Sequence, residues 1–204
     1  MTVLLALLLG YLLGSIPASF VAGRLRGVDL REHGSGNLGA TNVFRVLGPA
    51  YAVPVLLVDL GKGALAVALA TLLLPPLPKV PDLLPLLCGA AAVVGHSLSP
   101  FVGFRGGKGV ATAAGVFLYL APWATVPAFA VWLFLLLLTR IMSIASIAGA
   151  AVLPMNLLVF ELLRRDAPFR WATVAAALLI AVWVVWRHRS NLERLRQGRE
   201  SALW

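Results

Sequence analysis

Apolar residues run along this chain in long blocks, separated by short segments that hold most of its charge. Read between breakers, the blocks predict helices near 2–22, 50–74, 83–101, 111–121, 123–138, 141–160 and 171–187. Several approach the roughly 20 apolar residues needed to cross a hydrocarbon core. The block 111–138 is divided at Pro122, with Pro127 beyond it, because proline cannot continue a helical hydrogen-bond ladder. Gly10 with Gly14, Gly61 with Leu65 beside Gly63 and Ala64, and the small-residue run Ala111 to Gly115 mark places where helices can approach closely. The pattern predicts an all-α polytopic membrane protein: a single domain over 1–204, without internal repeats or a low-complexity linker. Its first block has no basic residue before it and ends in Pro17, Ser19 and Gly23, so it reads as a retained span and not a signal peptide.

Composition strengthens the membrane reading and charge gives it a direction. Of 204 residues, 60% are hydrophobic and 12% charged, far more apolar than a soluble core can hide. The segments 23–49, 102–110 and 187–204 carry Arg24, Arg26, Arg31, Arg45, Arg105, Lys108, Arg187, Arg189, Arg194, Arg196 and Arg199, which is 11 of the 17 basic residues. Basic residues concentrate in cytoplasmic loops, so all three segments are expected inside, with the N-terminus outside and the C-terminus cytoplasmic. Seven transmembrane helices satisfy the parity this imposes, and five is the alternative count. Arg164, Arg165 and Arg170 fall in a loop expected outside and argue against the assignment; Asp82, Glu161 and Asp166 offset them only weakly. The net charge of +9 is then a matter of topology, and nucleic acid is not expected as a partner. Cys88 is the only cysteine, and His33, His96 and His188 lack ligand spacing, so neither a disulfide nor a metal site is expected.

Three polar constellations carry the candidate chemistry. The first is Ser35-Gly36-Asn37-Leu38-Gly39-Ala40-Thr41-Asn42 followed by Arg45, where backbone amides, short donors and a guanidinium fork can converge on an oxyanion. Gly34 to Gly39 also fits a dinucleotide fingerprint with Asp59 beyond, but apolar spans flank it and leave no βαβ unit. The second is Gly103-Phe104-Arg105-Gly106-Gly107-Lys108-Gly109-Val110-Ala111-Thr112, a glycine-rich loop that leads into a helix and resembles a phosphate cradle. It is not a Walker A loop, because Val102 stands at the first glycine position and Gly109 follows Lys108. The third is the tail with His188, Asn191, Arg194, Gly198 and Glu200, in which His188, Asn191 and Arg194 share a face at helical spacing. Plainer alternatives are an ordinary turn, a basic inside loop and a snorkelling anchor respectively; the last suits Arg187, Arg189, Arg196 and Arg199 well. Asp59 with Lys62, and His96, are ionisable groups at membrane depth; the first two either pair with each other or meet substrate.

Together, in this order, the three segments resemble the bacterial acyl-phosphate glycerol-3-phosphate acyltransferases (the PlsY type). Asp59-Leu60-Gly61-Lys62-Gly63 and Gly95-His96 are similar to the same family pattern. The resemblance runs from the first span to the tail. It implies a seven-helix membrane fold at the cell inner (plasma) membrane, an acyl phosphate donor, glycerol 3-phosphate as acceptor, and lysophosphatidic acid and inorganic phosphate as products. It implies no cofactor. Ser35, Arg45, Lys108, His188 and Asn191 are the implied catalytic set, with Gly36, Asn37, Gly39, Thr41, Asn42, Gly106, Gly107, Gly109, Thr112 and Arg194 binding substrate or phosphate. The His and Asp pair of the soluble-type glycerolipid acyltransferases is absent, since Leu38, Phe101 and Glu193 stand five residues after the three histidines.

An acyl phosphate is a mixed anhydride with a good leaving group, so the resemblance implies catalysis by positioning and charge stabilisation more than by an enzyme nucleophile. Under it the Gly106 to Gly109 loop takes the donor phosphate, and either His188 or a donor phosphate oxygen removes the acceptor proton. Two other classes compete. A small anion or lipid transporter predicts paired broken helices around a midplane polar site, and a structural anchor predicts basic loops without glycine clusters.

Overall fold

The computed structural model describes residues 1–164 and 169–204; Arg165 and Asp166 of the loop expected outside lie beyond the described residues. Among the described residues the chain is mainly helical and forms no sheet. It divides into two compact units, Met1–Tyr119 and Leu120–Trp204.

The first unit holds α1 (Thr2–Gly14), α2 (Ala18–Leu25), α3 (Ala40–Leu47), α4 (Pro49–Leu73), α5 (Leu83–Ser97) and α6, which continues to Leu120 from Val110. The run expected as one helix over 2–22 is broken at Ser15, Ile16 and Pro17. Proline supplies no amide and disfavours helical geometry in the residue before it, so the break falls where those rules place it. Backbone carbonyls released in a membrane need new donors. Ser99 Oγ donates to Ser15 O at 2.7 Å and Lys62 Nζ to Ile16 O at 3.0 Å. Tyr11 Oη reaches Leu98 O at 2.8 Å, tying α1 to the end of α5.

Small residues set the spacing of this unit. A methyl group on Gly10 or Gly14 would collide with the carbonyls of Cys88 or Ala92, so α1 lies directly on the α5 backbone. The adjoining core is correspondingly small: Ala6, Ala66, Ala70, Cys88 and Ala92, closed by Leu74 and Leu84. Such contact replaces the hydrophobic drive that helices lack in lipid. Gly63 and Gly115 do the same between α4 and α6, whereas Gly61 faces open space, so the expected close approach belongs to Gly63.

The polar segment 23–49 contains one helix beyond those expected from the long apolar blocks, α3. Its Val43 is fully buried with Leu30, Leu38, Val55 and Val102, giving the loop a core of its own.

The second unit holds α7 (Pro122–Thr139), α8 (Met142–Leu163), α9 (Trp171–Arg187) and α10 (Arg189–Arg196). Pro122 opens α7 at the position where a missing amide costs nothing, as the sequence predicts. In the last turn of α8, buried Glu161 accepts from Arg164 Nη1 at 3.0 Å and from the Arg170 amide at 3.0 Å.

Among the described residues five helical stretches are long and apolar enough to cross a membrane: Thr2–Leu25, Pro49–Leu73, Leu83–Val102, Pro122–Thr139 and Met142–Leu163. α9 and α10, bent by 54° between them, add a sixth if taken as one span, and Val110–Leu120 is a shorter apolar helix. Leu57, Leu72, Phe134, Leu138 and Leu179 are exposed on these helices, the surface expected of an integral membrane protein facing lipid.

Candidate active site

In the first unit the loop before α3 is organised by one side chain. Asn42, fully buried in the first turn of α3, donates to Leu30 O and His33 O, both at 3.0 Å, and accepts from the Ser35 amide at 2.8 Å. The whole Asn42 amide is therefore engaged with its own loop. Ser35 stands exposed with its backbone fixed, next to Gly36 and Asn37. Thr41 lies in the first turn of α3, which Gly39 caps in extended conformation, and Arg45 follows half-buried in its last turn.

Other basic residues of this segment have local partners. Arg31 forms a two-toothed pair with Asp29, with Nη2 to Oδ2 at 2.6 Å and Nε to Oδ1 at 2.9 Å. Those hydrogen bonds hold the Asp29 carboxyl well below the usual carboxylate range. Arg24 lies over the Phe20 ring at 5.1 Å and Arg26 over Tyr51 at 5.5 Å.

The glycine-rich loop folds back on the end of α5. Gly106 N donates to Ser97 O at 3.1 Å and Gly107 N to His96 O at 3.2 Å. These two amides, expected at the sequence level to face a phosphate, instead satisfy terminal carbonyls of α5. The glycines are required by proximity: a methyl on Gly106 would meet the His96 carbonyl, and one on Gly107 the His96 ring and the Leu38 carbonyl. Gly107 thus adjoins Leu38, and the first loop and the glycine loop are neighbours. Lys108 follows, half-buried, and then buried Gly109 before α6. Thr112 is fully buried in α6, where its backbone packs on Gly63.

Beneath the loop lies a buried polar cluster. Lys62 Nζ is 2.8 Å from Asp59 Oδ1, and His96 Nδ1 is 3.3 Å from the same oxygen. All three side chains are at most 7% exposed. The carboxylate therefore serves Lys62, one of the two roles the sequence left open, and His96 as well. A small cleft opens here, lined among others by Pro17, Ser19, Leu38, His96, Gly106 and Gly107. The Ser19 hydroxyl in it is buried without a hydrogen-bond partner.

In the second unit the tail is organised by Glu200. Its Oε1 accepts from Asn191 Nδ2 at 2.6 Å and Ser143 Oγ at 2.9 Å, and its Oε2 from Arg194 Nε at 2.7 Å. Gly198, at φ +65°, makes the return possible: Gly198 N bonds Leu195 O and Arg199 N bonds Arg194 O, the paired closure of a helix ending on a left-handed glycine. Burial opposes ionisation of Glu200, but the bonds from Asn191, Arg194 and Ser143 outweigh it and hold the carboxyl below its usual range. His188 is buried at the bend between α9 and α10, its Nδ1 2.8 Å from Val184 O. That contact requires a proton on Nδ1, which leaves Nε2 as an acceptor in the neutral ring.

Residues 4–198 match the family model described as glycerol-3-phosphate acyltransferase. The chain belongs to that family. The glycerol-3-phosphate acyltransferase of Desulforudis audaxviator is 43% identical over 202 residues, covering 98% of this chain and 96% of the relative. Glycerol-3-phosphate acyltransferase 1 of Deinococcus radiodurans is 44% identical over 203 residues, covering 100% and 96%. A crystal structure of PlsY (YgiH), an integral membrane glycerol 3-phosphate acyltransferase in its glycerol 3-phosphate form, superposes with a TM-score of 0.88 at 38% identity. It covers 99% of this chain and 96% of that one. The lysophosphatidic acid form of PlsY gives 0.86 at 37% identity, covering 99% and 95%.

For this acyltransferase the structure gathers Ser35, Asn42 and Arg45 around α3, with Lys108 on the neighbouring glycine loop. Separately, in the second unit, it gathers Asn191 and Arg194 on Glu200. Ser143 carried no sequence signal: it is one serine at the start of an apolar helix. Glu200 was visible as part of the tail, but its convergence on Asn191 and Arg194 depends on the turn at Gly198. Among the described residues no group of three or more His, Cys, Asp or Glu side chains could hold a metal ion.

Proposed function

We propose that this chain transfers a fatty acyl group from acyl phosphate to glycerol 3-phosphate, releasing lysophosphatidic acid and inorganic phosphate, the first step of phospholipid biosynthesis. The observation that carries the reading is the superposition, over 99% of the chain, on a relative described in glycerol 3-phosphate and lysophosphatidic acid forms. The acceptor hydroxyl attacks the acyl carbonyl carbon; the new ester bond forms as the acyl-to-phosphate bond breaks, and its electron pair leaves on phosphate. The proton lost by the hydroxyl passes to a phosphate oxygen of the donor, or to the unprotonated Nε2 of His188, which the Val184 contact favours. Ser35 carries no acyl group, because the chain offers it no Ser-His-Asp arrangement for activation.

Arg45, Lys108 and Ser35 hold phosphate oxygens in this reading, while His188 and Asn191 serve the acceptor and the acyl chain lies among apolar helices. Lys108 and Gly109 replace the amides of Gly106 and Gly107 as the anion-facing part of the loop, since those two are bonded to α5. The enzyme crosses the inner membrane seven times as one catalytic domain, with the N-terminus outside and the chemistry at the cytoplasmic face.

A charge-assisted phosphate contact contributes about 1.5–3 kcal/mol, so Lys108→Ala should lower kcat/KM at least about tenfold while the protein inserts and purifies normally. Arg45→Lys keeps the charge and loses the planar fork, and a comparable loss is expected there. Steady-state kinetics with both substrates varied, with exposed Arg196→Ala as reference, decide it. Near-normal kinetics in both variants would overturn the phosphate assignment.

A further inference from the structure

The Asp59, Lys62 and His96 cluster has no place in the chemistry above, yet it joins three separate pieces of the first unit. Lys62 reaches the Ile16 carbonyl at the break between α1 and α2, and Asp59 accepts from Lys62 and faces His96 Nδ1. His96 in turn supports the glycine loop twice: its carbonyl accepts the Gly107 amide, and its ring fills the space a side chain at 107 would need. A buried charge retained at membrane depth needs a reason, since an apolar pair of similar volume usually packs at least as stably.

We propose that Asp59, Lys62 and His96 form a positioning network that fixes the glycine loop, and with it Lys108, relative to the α1–α2 break. Asp59 holds the imidazole through Nδ1, so that the ring's far edge stays against Gly107. Lys62 anchors the carboxylate to a backbone group that no helix satisfies in full. The network touches no reacting atom. It acts through the loop, and its consequence for catalysis rests on the phosphate role given above to Lys108. Misplacing a group by about 1 Å can cost on the order of a hundredfold in rate, and that is the size of effect expected here.

Removing one charge alone strands the other, so the informative variant is Asp59→Leu with Lys62→Met, which discharges both positions at similar volume. Purified in lipid nanodiscs, it should melt within a few degrees of the parent. Its amides over 103–109 should exchange with deuterium about tenfold faster or more, those over 189–199 should be unchanged, and kcat/KM should fall about a hundredfold. If the double variant does not insert, His96→Asn tests the same point, since it can keep a donor toward Asp59 and lacks the ring edge against Gly107. Unchanged exchange at 103–109 in a folded variant overturns the network, whatever the activity. Faster exchange with undiminished kcat/KM overturns its catalytic role and places the failure in the phosphate assignment of the loop.

Discussion

Asn42 shows how a residue of a candidate motif can be committed to the loop that carries it. The sequence presented it among oxyanion donors, because its type and its neighbours Gly39, Thr41 and Arg45 suit that task. The fold instead gives its carboxamide to Leu30, His33 and Ser35, contacts across a loop that sequence spacing does not reveal. Asn42→Ala leaves buried backbone groups without partners at about 1–3 kcal/mol. A melting temperature several degrees lower, and a loss of kcat/KM shared by both substrates, are expected; a change confined to the KM of one substrate would instead make Asn42 a ligand. Glu200 gives a second case, with a pH dependence. Its folded pKa is lowered, so the unfolded tail binds the proton more readily. The stability it contributes is present above the ordinary carboxylate value of about 4.3 and is lost as pH falls through the lower folded value. Amide exchange over 199–203, corrected for its intrinsic pH dependence, should quicken as pH falls below the ordinary carboxylate value; Glu200→Gln should show raised exchange and little further change.

At the scale of elements, the long apolar helices were legible because nothing but a helix buries its own backbone in lipid. Pro122 located the start of α7 for the same reason that Pro17 broke the first run, and the two cases differ only in what surrounds them. Apolar residues on both sides of Pro17 concealed the break, whose carbonyls are satisfied by Ser99 and Lys62 from distant parts of the chain. The helix α3 shows helical spacing in Ala40, Val43, Phe44 and Leu47, but eight amphipathic residues inside a polar segment are too short a run to register beside the long apolar blocks. Small-residue seams were half legible: Gly10 and Gly14 were found, while Gly61 and Gly63 could not be separated without knowing which side of α4 meets α6. Gly14→Leu forces a side chain into the Ala92 backbone, and overpacking typically costs 1–3 kcal/mol or more, so loss of thermal stability or of insertion is expected. Gly61→Ala enters open space and gains up to about 1 kcal/mol in helix propensity, so its melting temperature should stay level or rise.

For the molecule as a whole, the charge pattern predicts that 23–49, 102–110 and 187–204 face the cytoplasm. Gly27, Arg105 and Gln197 are exposed, so cysteines introduced there can react if reagent reaches them. All three should be protected from an impermeant thiol reagent in intact cells and labelled after permeabilisation; labelling of any one from outside would falsify the topology. The native thiol sets the background for that measurement. Cys88 is fully buried, with its carbonyl directly under Gly10, and it is the only cysteine in the chain. Wild-type protein is therefore its own blank, and single-cysteine variants need no prior removal of a native site. The same placement makes Cys88 a built-in strain gauge, because its side chain is buried where α1, α4 and α5 meet and becomes reachable when that packing opens. A slow labelling rate in the unmodified enzyme would then time the opening of that packing, without any probe attached to the helices.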